Sequence, residues 1–189
     1  MGEVEIYYGV LGPVMARQAG RDIDLGWARQ RAVLAVLVRE MNRPVSTETI
    51  IDAVWGERPP DDARRAVQTN ISRLRRALHP DDQPGDRHDV LVTTDAGYLL
   101  RGAPTWVDTA RFEQHLAAAA ERHRSGDLPA AAAQLDAALA LWRGEPYAGL
   151  SGSWIEANGR GGVNVTLPRW NCAWPSISTA ASTPMRWPT

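Results

Sequence analysis

The chain has 189 residues, with 21 basic and 22 acidic side chains, a formal charge of −1 and a single cysteine. That length admits one or two domains with cores of their own. One cysteine excludes an internal disulfide framework, no apolar run approaches the roughly 18 residues that cross a bilayer, and MGEVEIYYG lacks the basic and apolar regions of a signal peptide, so a cytoplasmic protein is expected.

Val4, Ile6, Tyr8 and Val10 alternate at period two and fall on one face of a strand. Turn signals at Gly12-Pro13 and Ala19-Gly20, with Ile23 and Leu25 beyond, predict a three-stranded antiparallel sheet over residues 3–25. Leu34, Leu37, Val38 and Met41 then recur as one stripe of an amphipathic helix, which Pro44 ends. Ser46 is a good N-cap, and Val45 before it can staple onto Ile50. Ile50, Ile51, Val54 and Trp55 form the buried side of this second helix, with Gly56 as its stop. The loop GERPPDD leads to Asp61 or Asp62 as the cap of a third helix. Residues 90–100, VLVTTDAGYLL, read as two strands about a turn at Asp95-Ala96-Gly97.

The third helix carries the most information. Residues 63–79, ARRAVQTNISRLRRALH, hold five arginines and no carboxylate. Val67, Ile71, Leu74 and Leu78 recur at spacings of 4, 3 and 4 and make a buried stripe. Arg65, Thr69, Ser72 and Arg76 follow two positions behind, on the opposite side of the helix. Arg64, Gln68, Arg73 and Arg75 flank them. A merely solvated helix face commonly mixes signs to gain i,i+4 pairs, and this one does not. Arginines interleaved with amides and hydroxyls suit a major groove, where arginine reads guanine edges and the shorter groups reach other bases or phosphates. Residues 1–104 hold 14 arginines against 15 carboxylates, so any attraction to DNA is local to one face.

A sheet, three helices with the third basic, and a hairpin make an α+β winged helix-turn-helix. The stretches GVLGPV (9–14), RQRAVLAVLV (29–38), NRPVSTETIIDAVWGERPPDDARRAVQTNISRLRRAL (42–78) and LVTTDAGYLL (91–100) resemble the OmpR-type DNA-binding domain. They are closer still to the Streptomyces antibiotic regulatory protein (SARP) activators. The resemblance implies a DNA-binding domain over 1–104 whose helix 62–79 enters the major groove. The contacts it implies come from Arg64, Arg65, Gln68, Thr69, Ser72, Arg73, Arg75 and Arg76, and from Thr93, Thr94 and Tyr98 of the wing. Glu57, Arg58 and Asp61, in the loop 56–62, are implied to face RNA polymerase. Double-stranded promoter DNA is the implied partner, with a second copy of the chain on direct repeats, and no cofactor is implied. Many members carry arginine where Thr94 stands, so this wing brings no charge there.

Beyond Pro104 and a short connector, Phe112, Leu116, Ala119 and His123 mark one helix face. Leu128, Ala131, Ala132, Leu135, Ala138, Leu139 and Trp142 mark another, with Ser125-Gly126-Asp127 turning between them. This tetratricopeptide-like pair resembles the start of the bacterial transcriptional activation domain, expected over 108–157 in truncated form. A single helix pair cannot bury a core alone, so Phe112, Leu116, Leu135 and Trp142 are expected to lack cover. Residues 158–189 are expected to be unstructured: from 159 they hold no acidic residue, three of the eight tryptophans and four prolines. Back-translating Arg169–Pro188 and shifting the frame gives apolar residues at helical spacing, which points to a frameshift. Enzyme readings find little support. His79, His88, His115 and His123 are scattered off any metal spacing, Cys172 has no base near it, and Gly9 and Gly12 belong to a strand turn rather than a phosphate loop. A helical interaction module or a non-functional truncated regulator stays open as the alternative.

Overall fold

The computed structural model describes residues 5–79 and 90–150. Three short strands, β1 (Ile6–Gly9), β2 (Met15–Gln18) and β3 (Arg21–Asp22), form an antiparallel sheet in that order. Ile6 and Tyr8 are buried with Tyr7 half-exposed between them, as the alternation predicted. β3 is shorter than the sequence suggested. Ile23 gives one more bond to Ala16 O at 2.9 Å, and then Asp24 accepts from Gly26 N, an Asx turn that ends the ladder.

Helix α1 (Ala28–Arg39) departs from its predicted single stripe, since Ala32 through Val38 are buried without interruption. The cause is position: α1 packs against the other two helices and the wing, so no face of its centre meets water. Nor is Pro44 its terminator. The helix ends at Arg39 with Glu40 as its C-cap, and Asn42 takes a left-handed φ of 64° while its side chain clasps Gly102 N and O.

Helix α2 (Thr47–Trp55) starts as predicted, with Ser46 Oγ accepting from Thr49 N at 3.0 Å and both Val45 and Ile50 buried. Helix α3 (Ala63–Leu78) buries Val67, Ile71, Leu74 and Leu78 together with Ala63. Asp62 occupies its N-cap position, but the carboxylate makes no capping bond; Ala63 N is satisfied instead by Pro60 O at 3.0 Å. The wing strands β4 (Leu91–Thr94) and β5 (Gly97–Leu100) pair Leu91 with Leu100 and Thr94 with Gly97. Gly97 opens β5 instead of belonging to the turn. A Cβ there would lie 2.1 Å from Val45 O, so only glycine allows Val45 and Tyr98 to exchange backbone bonds of 2.8 and 2.9 Å.

After a 3₁₀ turn at Pro104–Trp106 come α4 (Asp108–Arg124) and α5 (Leu128–Leu139), the latter capped by Asp127 on Ala130 N. Their packing corrects three expectations. Phe112 and Leu116 are covered, because Leu11 from the β1–β2 turn joins them and Ala138 in one cluster. Trp142 lies past the end of α5 and meets Phe112 edge-on at 5.8 Å between centroids. Leu128 and Leu139, expected on the packed face, are 49% and 57% exposed. Burying Phe112 and Leu116 contributes about 1.5–3 kcal/mol each, and the first half of the chain supplies part of their cover. The readings made for Val4, His88, Cys172 and the 158–189 tail fall outside the described residues. No helix among the described residues is long and apolar enough to cross a membrane.

Candidate nucleic-acid interface

The buried stripe of α3 fixes which side chains face out. Arg64, Arg65, Gln68, Thr69, Ser72, Arg73 and Arg76 are all exposed. Thr69 Oγ1 donates back to Arg65 O at 2.9 Å, and Arg76 Nε lies 3.5 Å from Ser72 O, so both follow the helix surface. Among the described residues, no protein hydrogen bond or ion pair holds the side chains of Arg65, Gln68 or Arg73. Arg64 pairs with Glu48 on the first turn of α2, an exposed contact worth little in water. Arg65 and Arg76 are eleven residues apart, about 16 Å along the axis, so exposed cations extend over most of the helix.

Two predicted residues stand elsewhere. Arg75 is only half-exposed, and its guanidinium reaches across to the wing, with Nε donating to Leu91 O and Nη2 to Thr93 Oγ1, both at 2.8 Å. It fixes the angle between α3 and β4. Tyr98 is a correction. It is 8% exposed and belongs to the core, because alternation along β5 turns Tyr98 and Leu100 inward together. Thr93 is exposed, while Thr94 is half-buried with its hydroxyl on Gly97 O at 3.3 Å. Glu57, Arg58 and Asp61 are exposed on the loop between α2 and α3.

Sequence reasoning missed the neighbour of this loop. Arg29, in the first turn of α1, lies over the Trp55 ring at 5.4 Å from its centroid. Trp55 is therefore not simply part of the buried side of α2; its ring is shared with a cation. The spacing of 26 residues between them leaves no signal in the sequence.

Two family models match the chain. "Transcriptional regulatory protein, C terminal" matches residues 20–100, and "Bacterial transcriptional activator domain" matches residues 107–161. The regulatory protein AfsR of Streptomyces coelicolor is 44% identical over 165 residues, covering 86% of this chain and 15% of AfsR. The transcriptional regulatory protein MoaR1 of Mycobacterium tuberculosis is 36% identical over 140 residues, covering 74% of this chain and 44% of MoaR1. A solved structure of Mycobacterium tuberculosis EmbR, in complex with a low-affinity phosphopeptide, superposes with a TM-score of 0.70 at 34% identity, covering 77% of this chain and 38% of that one. The chain thus spans less than half the length of each of these relatives. With an OmpR-type winged helix followed directly by the activator-domain helices, the chain belongs to the SARP family of transcriptional regulators.

Proposed function

We propose that the chain is a sequence-specific activator that binds promoter DNA through α3, with the first unit over 1–104 as its DNA-binding domain. The observation that carries this reading is the outward face of α3: Arg65, Gln68, Thr69, Ser72, Arg73 and Arg76 exposed together, with no carboxylate on the helix. Arg65 and Gln68, near the helix start, address base edges, since recognition helices insert their N-terminal residues. Arg73 and Arg76 address phosphate. Arg64 joins them once the duplex displaces Glu48, and Arg75 holds the wing so that Thr93 and Thr94 lie along the backbone. Glu57, Arg58 and Asp61 form the surface offered to RNA polymerase, and two copies occupy direct repeats. Residues 108–157 begin the activation domain, and the segment from 158 is a tail produced by a frameshift. A family of transcriptional regulators points away from catalysis.

The test is a mobility shift with promoter duplex and with mixed-sequence duplex at two salt concentrations. Replacing Arg65, Arg73 and Arg76 together by alanine should abolish binding while circular dichroism stays unchanged, because none of the three touches the buried stripe. Undiminished affinity in the triple variant would reduce these arginines to solvated surface.

A further inference from the structure

We propose that the Val10–Val14 turn between β1 and β2 couples the two units into one cooperative body, and that Asp108 is the residue that positions it. The turn lies outside both matched segments, 20–100 and 107–161. Its contacts are nevertheless among the most specific in the chain.

Asp108 opens α4 and is completely buried. Its carboxylate accepts from Val10 N at 2.8 Å, from Leu11 N at 2.9 Å and from Arg143 Nη2 at 3.0 Å. Three donors therefore satisfy one buried anion, and two of them are backbone amides of the first unit. The return contacts come from beyond α5: Arg143 N donates to Leu11 O at 2.7 Å, Arg143 Nη1 to Pro13 O at 2.8 Å, and Tyr147 N to Val10 O at 3.1 Å. Both faces of the turn's backbone are thus used by the second unit. Gly12 fits this grip: its φ is +148°, and a Cβ there would stand 2.8 Å from the Cβ of Arg143. Leu11 then inserts its side chain among Phe112, Leu116 and Ala138.

The helix pair is completed by this turn, and the turn continues directly into the sheet, whose Ile6, Tyr8 and Ala16 share one hydrophobic cluster with the buried residues of α1. A strain in one unit therefore has a short, hydrogen-bonded route to the other. Asparagine at 108 keeps the volume, but with its oxygen in the place of Oδ2 its N–H₂ takes the place of Oδ1, which accepts from Val10 N at 3.0 Å, so two buried donors are opposed and Arg143 loses its counter-charge.

The experiment uses the full chain. Calorimetric melting of the parent should show one transition, and Asp108→Asn should split it in two, with faster amide exchange in residues 10–14 and in α4–α5 but not in α3. Should Asp108→Asn yield no folded chain, Arg143→Ala decides on the same readout, since it keeps both amide bonds to Asp108 and loses only the guanidinium. A mixed-sequence duplex added at low salt should slow exchange in α4–α5 of the parent and not of the variant. A single unsplit transition in the variant, with residues 10–14 as protected as in the parent, would overturn the coupling. A duplex without effect on the parent would count against the DNA-binding reading instead, and the melt would still judge the coupling by itself.

Discussion

Arg65 and Arg75 lie on the same helix with the same chemistry, yet the structure gives them different surroundings. Arg65 has no protein partner among the described residues, whereas Arg75 is bound to Leu91 O and Thr93 Oγ1. Their alanine variants should diverge accordingly. Arg65→Ala should leave stability within about 0.5 kcal/mol and cost about 1–3 kcal/mol on the cognate site, relaxing specificity at one base pair. Arg73→Ala and Arg76→Ala should weaken all duplexes alike and lower the salt slope by roughly one unit each. Arg75→Ala should instead lower unfolding free energy by about 1–3 kcal/mol, as charge-assisted bonds are lost. Chemical denaturation read beside a salt titration separates the two kinds. The cationic face itself was legible in the sequence, because the period of Val67, Ile71, Leu74 and Leu78 fixes its opposite side. What Arg75 binds was not, since its partners lie 16 and 18 residues away on another element.

At the scale of elements, helix existence followed from periodicity and capping residues. The errors came where tertiary neighbours override the pattern. Helix α1 read as a stripe of Leu34, Leu37, Val38 and Met41, and yet Ala32, Val33, Ala35 and Val36, off that stripe, are buried as well where other elements approach. Helix α5 misled in the opposite direction: Leu128 and Leu139 share the helical spacing of a packed face but stand at its rim. Replacing Leu139 by glutamine should therefore change stability by less than about 0.5 kcal/mol and raise solubility. Phe112→Ala, one turn into α4 and in the cluster with Leu11, should cost about 3–5 kcal/mol. Thermal melts with a precipitation assay distinguish these outcomes.

The balance of 21 basic and 22 acidic side chains holds near neutral pH, and in acid the response of one buried carboxyl is separated from that of net charge by comparison with its own variant. Burial raises the Asp108 carboxyl above its ordinary value of 3.8, against the pull of the Val10 and Leu11 amides and of Arg143; the phenols of Tyr7 and Tyr147 also feel its charge. A carboxyl raised on folding binds its proton more tightly in the native state. Its contribution to stability is complete below pH 3.8 and declines as pH rises through the elevated folded value. The unfolding free energy of the parent relative to Asp108→Asn should therefore fall as pH rises through that window, as measured by denaturant titration at a series of acidic pH values.

The insertion of Leu11 between α4 and α5 also bears on how such proteins recombine. A crossover placed in the linker near Pro104 would set a new activator half against a turn shaped for other helices, with Leu11 facing a cluster it was not matched to. Exchange would succeed only if residues 10–14 travelled with the helices they serve, two segments separated by the whole winged helix.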